Sequence, residues 1–284
     1  MKLTPTLDST VVNPITLEWI PTTFASFMAE LVALKEQISA LDGLALFRGQ
    51  RNREWRLDST LARHLKSHVF GIPSTEGYSR RLAESRELRD LLGNVLLLKF
   101  DTLLHPSAEL QQAAQEHDID AWFELMKRLQ QYPNEDARQL PGTNLIDWSS
   151  NSDVALYFAN EAREGQGAIY VCNASATGKS LQTISVRSIL DLVRQQLDQQ
   201  GHLGTPLLFC PKRQIANARP KNQSAIYFAQ MDMRFNLEEH WRVIEPVPNS
   251  IIVKLILPAD SQAAVATHLE SNGINRAFIY PDLP

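Results

Sequence analysis

Apolar residues recur at helical spacing in several stretches of the chain. From Thr22 onward they return every three or four positions as far as Leu41, and Gly43 follows where a helix would end. The same spacing covers residues 76–131, where prolines punctuate the pattern, and it returns at residues 189–197 and 260–272. The first half of the chain is therefore expected to be mainly helical.

Short apolar runs bounded by glycine or proline predict strands, most of them in the second half. They occupy residues 44–50, 168–172, 206–211, 225–229, 250–258 and 277–280. Helices and strands do not alternate regularly, so we predict an α+β fold in which a helical N-terminal half packs on a mixed, mostly antiparallel sheet. Residues 1–21 are expected to run as extended chain over the surface. Residues 22–284 are expected to form one domain with a helical insertion at about 76–138.

The stretch of residues 143–159 predicts a short strand, a turn rich in hydroxyl groups and the start of a helix. We expect Ser150 to cap this helix, with Asp153 reaching back from the third helical position. Asp147, Trp148 and two serines stand directly before the helix, where free backbone N–H groups favour an anionic ligand. This junction is the candidate site.

Composition and charge restrict the classes of function. The 284 residues are 44% hydrophobic, which suffices for a sizeable core, and the net charge of −4 gives no overall basic surface. The cysteines and histidines lack disulfide or metal-ligand spacing, and no apolar run approaches the ~20 residues that span a bilayer. Glycine patterns of dinucleotide and P-loop sites are absent. We expect a cytoplasmic protein without a metal site.

Three stretches that lie far apart in the sequence carry motifs that we consider together. Phe47-Arg48-Gly49-Gln50 precedes Trp55, Leu57, Leu61 and Arg63; residues 145–149 run into residues 154–159; and Asn217-Ala218-Arg219 precedes Gln223, Ala225 and Tyr227. Together these stretches resemble the FRG domain family, which is named for its Phe-Arg-Gly motif. The resemblance spans roughly residues 24–283, and its second stretch is the most specific part.

One motif departs from the family pattern. The family commonly carries Gln-His-x-Gly-x-Pro-Thr-Arg before the second stretch, whereas here an insertion separates Gln130 and Gln131 from that stretch. The His of the motif is missing, and Asn144 stands where its Arg would be. Roles that belong to those two family residues do not transfer to this chain.

The order of the motifs is similar to that of ADP-ribosyltransferases, which implies a core of that kind with NAD as substrate. By this resemblance, Arg48 anchors the pyrophosphate or ribose of NAD through planar, charged donors. Ser149 or Ser150 holds the ribose on the nicotinamide side, and Trp148 or Tyr157 stacks on the nicotinamide. The resemblance therefore predicts an NAD site at the junction.

The third stretch supplies the remaining predicted residues. Gln223 stands where such transferases usually carry a Glu, so it can hold a ribose hydroxyl but cannot supply negative charge or act as a base. Arg219 and Asp147 complete the predicted NAD-binding set. The expected function is an NAD-dependent ADP-ribosyltransferase-like protein of a bacterial toxin or anti-phage type. Its acceptor would be an unknown protein or nucleic acid.

Other interpretations stay open at this point. A non-catalytic module could bind a nucleotide or a protein in the same cleft, and a nucleic-acid-directed protein could use the arginines at positions 51, 53, 56 and 63 as phosphate contacts. Each site residue also has an ordinary structural explanation. Asp147 could pair with an arginine, Trp148 and Tyr157 could belong to the core, Ser150 could act only as a cap, and Arg219 could be an ordinary surface residue.

Overall fold

The computed structural model describes residues 3, 9–13, 18–104, 141–177, 180–181, 186–199, 201–209, 218–244 and 251–281. The α-helices in these ranges are α1 (Phe24–Ser39), α2 (Thr60–His64), α3 (Arg80–Ala83), α4 (Arg86–Leu104), α5 (Ser152–Asn160), α6 (Val186–Asp198), α7 (Ala218–Asn222), α8 (Leu237–Glu239), α9 (Gln262–Ser271) and α10 (Arg276–Ile279). The strands are β1 (Ser9–Asn13), β2 (Glu18–Pro21), β3 (Ala45–Gln50), β4 (Leu145–Ser149), β5 (Gly167–Asn173), β6 (Ser180–Leu181), β7 (Leu207–Phe209), β8 (Ala225–Ala229) and β9 (Ile252–Leu257).

The described strands form one sheet in the order β1-β2-β9-β5-β3-β4-β8-β7-β6. Only the β2–β9 and β6–β7 pairs among them are parallel, and the other pairs are antiparallel. The predicted mixed α/β fold with a mostly antiparallel sheet is therefore confirmed. The strand β3, which carries the Phe-Arg-Gly motif, lies between β5 and β4 near the centre of the sheet.

Both faces of the central strands are covered by apolar side chains. Every residue of β5 and β9 is buried, which is typical of strands enclosed on two sides. Helices α1, α5 and α9 pack on one face, where Phe27, Phe47 and Val253 share a cluster. On the other face, Trp148 and Phe228 belong to a second cluster. The enclosed centre of the sheet provides a rigid support for the polar ends of its strands.

The N-terminal segment that we expected to run extended over the surface supplies two strands. Strand β1 pairs with β2, and β2 pairs in parallel with β9 through Glu18 and Trp19. Trp19 is 1% exposed, so this segment contributes a large aromatic side chain to the core. Its extended conformation follows from the proline-rich sequence. The segment is buried because β2 pairs with the edge of β9 that faces away from β5.

The strand predicted at residues 277–280 is wrong, because Arg276–Ile279 form the short helix α10. Asn275 starts this helix by accepting a hydrogen bond from the backbone N–H of Phe278 at 2.9 Å. Gly273, with φ of 72°, turns the chain directly before it. These two signals outweigh the apolar run that suggested a strand.

Several expectations concern parts of the chain outside the described residues. They include the second part of the helical pattern predicted over residues 76–131, the motif departure at Gln130 and Gln131, and the end of the strand predicted at residues 206–211. Among the described residues, no helix combines the length and the apolar character that crossing a bilayer requires.

Candidate functional site

A cavity of about 340 Å³ lies where β3 and β4 meet helices α5 and α7, a volume in the range of small-molecule sites. We call it the junction cavity. Its polar and charged lining residues are Arg48, Gln50, Arg51, Arg63, Asp147, Ser149, Glu161, Arg219 and Gln223. Trp148 also lines it. Six residues predicted for the site from three distant stretches of sequence thus surround one cavity.

The Phe-Arg-Gly motif is built into the interior of a strand. Gly49 pairs with Ile169 of β5, and the strand continues to Gln50. A Cβ atom on Gly49 would lie 1.8 Å from the carbonyl oxygen of Ala155 in α5. Glycine is needed here because the helix backbone packs directly on the strand. This contact fixes the start of α5 beside Arg48.

Arg48 extends from β3 towards β4. Its Nη1 donates a hydrogen bond to the backbone oxygen of Asp147, while its buried Nε has no hydrogen-bond partner among the described residues. Burial lowers the pKa of Arg48 to about 10, and the positive charge of Arg63 lowers it further, whereas the Asp147 carboxylate opposes this. The guanidinium is still charged at neutral pH and lacks its full set of partners.

Two further arginines of the cavity also carry a guanidinium group that forms no ion pair with a described carboxylate. Arg63, in α2, donates a hydrogen bond to Oγ1 of Thr60 at 3.3 Å, and burial lowers its pKa against the opposing charges of Asp58 and Asp147. Exposed Arg51 lies over the ring of Trp55 at 5.3 Å. Within the described part of the chain, none of the guanidinium groups at positions 48, 51 and 63 has a carboxylate oxygen within 4.0 Å. The cavity therefore presents positive charge that internal ion pairs do not neutralise.

The other two arginines of the predicted basic cluster have carboxylate partners. Arg53 pairs with Glu18 at 3.3 Å and with Glu54 at 3.1 Å, and Arg56 pairs with Glu239. A phosphate contact from either side chain would have to replace an existing ion pair. The geometry therefore favours a compact anionic ligand in the cavity over a long basic stripe for nucleic acid.

Ser149 and Gln223 are connected to each other and to the surrounding backbone. The Ser149 hydroxyl donates to the backbone oxygen of Gln223 at 2.7 Å and accepts from the N–H of Asn151 at 2.9 Å. The Gln223 amide donates from Nε2 to the backbone oxygen of Ile279 at 3.0 Å. Ser149 thus ties β4 to the turn between α7 and β8. Oε1 of Gln223 has no hydrogen-bond donor among the described residues, so it can accept a bond from a ligand.

The predicted cap of the junction helix is wrong by one residue. Asn151 caps α5 by accepting a hydrogen bond from the N–H of Asp153, whereas Ser150 is exposed and uses its own N–H to bond Ser224. Asp153 does not reach back to the cap, because its carboxylate bonds His268 at 3.1 Å. An Asn side chain and a Ser side chain are both good caps, so the sequence alone does not separate them.

Two predicted stacking residues have structural contacts. Trp148 is 2% exposed and packs edge-on against Phe228, so its ring belongs to the core even though the residue lines the cavity. Tyr157 does not line the junction cavity, and its hydroxyl donates to Glu161 at 3.1 Å. Burial raises the pKa of Tyr157 to about 12, and the Glu161 carboxylate adds to the effect.

Glu161 is a cavity residue that the sequence analysis missed. It follows the end of α5, and its second carboxylate oxygen accepts a hydrogen bond from the hydroxyl of Tyr280 at 3.0 Å. Arg219 lies over the ring of Tyr280 at 4.6 Å and lines the cavity wall. The spacing of Tyr157 and Glu161 by one helical turn was the available signal, but Tyr280 is too distant in sequence to reveal the cluster.

Comparison with known proteins gives one match. No curated protein and no solved structure matches the chain significantly, so the ADP-ribosyltransferase-like core remains a prediction. The model of the FRG domain matches residues 44–167, a range that contains the first and second stretches of the motif set and not the third. The cavity residues from Arg48 to Glu161 lie inside this range. Residues 44–167 are therefore similar to the FRG domain family.

Proposed function

We propose that the junction cavity binds NAD and that the protein transfers ADP-ribose from it to a macromolecular acceptor. One observation carries the proposal: Arg48, Arg51 and Arg63 converge on a single cavity without carboxylate partners among the described residues. Planar guanidinium groups match the geometry of phosphate oxygens, and partly buried charges interact strongly with an anionic group. The diphosphate of NAD has the charge that such a site lacks.

The proposed reaction breaks the bond between nicotinamide and ribose. The bonding electron pair leaves with the nicotinamide, and C1 of the ribose gains oxocarbenium character. A nucleophile of the acceptor then forms a new bond to this carbon, and its proton passes to water. Oε1 of Gln223 would accept a hydrogen bond from a ribose hydroxyl, while Ser149 would hold the strand and turn in position.

A second candidate function is a module that binds a nucleotide without turning it over. The hydrogen bonds of Ser149 favour this alternative, because its hydroxyl proton already has an acceptor in the backbone of Gln223. The absence of a carboxylate at position 223 favours it as well. The FRG resemblance is the support for a role in bacterial toxicity or phage defence, and that setting is part of our proposal.

The test combines binding and turnover on the same samples. Calorimetry with NAD and an assay of nicotinamide release would be performed on the wild type, on Arg48→Ala, and on Arg81→Ala as a control at an exposed arginine outside the cavity. We expect the wild type and the control to bind NAD and Arg48→Ala to lose at least about tenfold in affinity. Binding without release would select the non-catalytic alternative. No binding by the wild type refutes the NAD proposal.

A further inference from the structure

Glu161 is a negative charge in a cavity that is otherwise rich in arginine. Its two carboxylate oxygens accept hydrogen bonds from the hydroxyls of Tyr157 and Tyr280, at 3.1 and 3.0 Å. Both partners are neutral groups, and within the described ranges no Lys, Arg or His nitrogen lies within 4.0 Å of this carboxylate. Glu161 therefore has no direct ion-pair partner among the described residues, in contrast to the carboxylates that pair with Arg53 and Arg56.

The position of Glu161 offers no local reason for a negative charge. It caps the C-terminal end of α5, where the helix dipole disfavours an anion. The two tyrosine hydroxyls nevertheless fix the carboxylate in one place, and a carboxylate has about four acceptor positions, of which two are used here. The remaining acceptor positions are available at the wall of the cavity.

An aromatic side chain lies beside this carboxylate. Phe158 lines the same cavity three residues earlier on α5, so both residues are on neighbouring positions of one helix face. Tyr157 and Tyr280 hold the Phe158 ring by edge-to-face contacts. A ring next to a fixed negative charge suits a ligand group that is both planar and cationic.

From this arrangement we infer that Glu161 determines specificity for the oxidised cofactor, by binding the positively charged nicotinamide ring of NAD⁺. The inference rests on the proposed function, since it concerns the same cavity and ligand. The ring of NADH is neutral, so it gains nothing from the carboxylate, while the diphosphate contacts of Arg48 and Arg63 are the same for both forms. The cavity then holds a dipolar ligand, with its anionic part on the arginines and its cationic part on Glu161.

The experiment is a calorimetric comparison of NAD⁺ and NADH. We expect the wild type to bind NAD⁺ about tenfold more tightly than NADH, the effect of one partly exposed ion pair at close range. Glu161→Gln should lose this preference by weakening NAD⁺ alone. Glu270→Gln is the matched control, because Glu270 lines the neighbouring cavity that also contacts Glu161 but does not line the junction cavity.

The outcomes separate this inference from the proposed function. If Glu161→Gln binds both nucleotides and keeps the preference of the wild type, the role of Glu161 is refuted and the NAD site stands. Equal affinity of the wild type for both forms refutes it as well, and this comparison stands even if Glu161→Gln does not fold. If the wild type binds neither nucleotide, the proposed function fails together with the inference. A thermal melt of each variant shows that the fold is retained.

Discussion

Replacement of Arg48 by Met tests whether this arginine serves a ligand or the fold. Met keeps an unbranched apolar stem of similar length and removes the guanidinium. The side chain of Arg48 is partly buried, with one hydrogen bond to the backbone of Asp147 and an Nε without a partner among the described residues. We expect Arg48→Met to raise the stability of the protein without ligand and to weaken NAD binding at least about tenfold.

The size of the effect follows from the pKa of Arg48. Burial lowers this pKa to about 10. The difference from the ordinary value corresponds to a cost of about 3 kcal/mol for keeping the charged group in the folded protein at pH 7. Because the pKa is lower in the folded than in the unfolded chain, this cost is fully present at pH 7 and fades only above about pH 10. The lost hydrogen bond offsets about 2 kcal/mol of the gain.

The expected net stabilisation is therefore about 1 kcal/mol, or a rise in the melting temperature of roughly 3 °C. Thermal unfolding at pH 7 measures this, with Arg81→Met as the control at an exposed arginine that should leave the melting temperature unchanged. A lower melting temperature for Arg48→Met would show that the guanidinium holds β3 and β4 together, and the argument for a ligand group at this position would then be refuted.

Two further predictions concern the frame of the cavity. Gly49→Ala should lower the free energy of unfolding in urea by about 3 kcal/mol or more, because the new Cβ would overlap the backbone oxygen of Ala155. Gly77→Ala is the control and should lower it far less, because its Cβ would meet only a flexible arginine side chain. Ser149→Ala should lower the free energy of unfolding by about 2 kcal/mol through two lost hydrogen bonds, whereas Ser150→Ala should change it by less than about 0.5 kcal/mol. Equal effects within either pair would contradict the assigned contacts.

The junction and the central sheet could be predicted from sequence because their signals are local. The strand β4, the turn and the helix α5 each follow from residues within one stretch, and the apolar runs at β5, β8 and β9 leave little doubt about their strands. The three polar stretches converge because their residues stand at or beside strands β3, β4 and β8, of which β4 pairs with both others.

The roles of individual residues depend on contacts that sequence does not show. Ser149 looks like a free hydroxyl until the backbone oxygen of Gln223 is found 2.7 Å away. Glu161 looks like an ordinary helix-end residue until Tyr280, which is 119 positions later, bonds its carboxylate. The role of Gly49 is also hidden in the sequence, since only the position of α5 reveals the close backbone contact. Each case is a tertiary contact between segments that are distant along the chain.

The residues of the cavity differ in whether their polar groups already have hydrogen-bond or ion-pair partners inside the protein, and this difference indicates what each residue does. A side chain whose hydrogen bonds are complete inside the protein, such as Ser149, can contact a ligand only by giving up bonds that stabilise the fold. A buried charged group without an ion-pair partner among the described residues, such as Arg48, costs stability until a ligand of opposite charge arrives. Variants of the first kind should lower the melting temperature. Variants of the second kind should lose ligand affinity while the fold stays intact, and this contrast identifies the residues that contact a ligand.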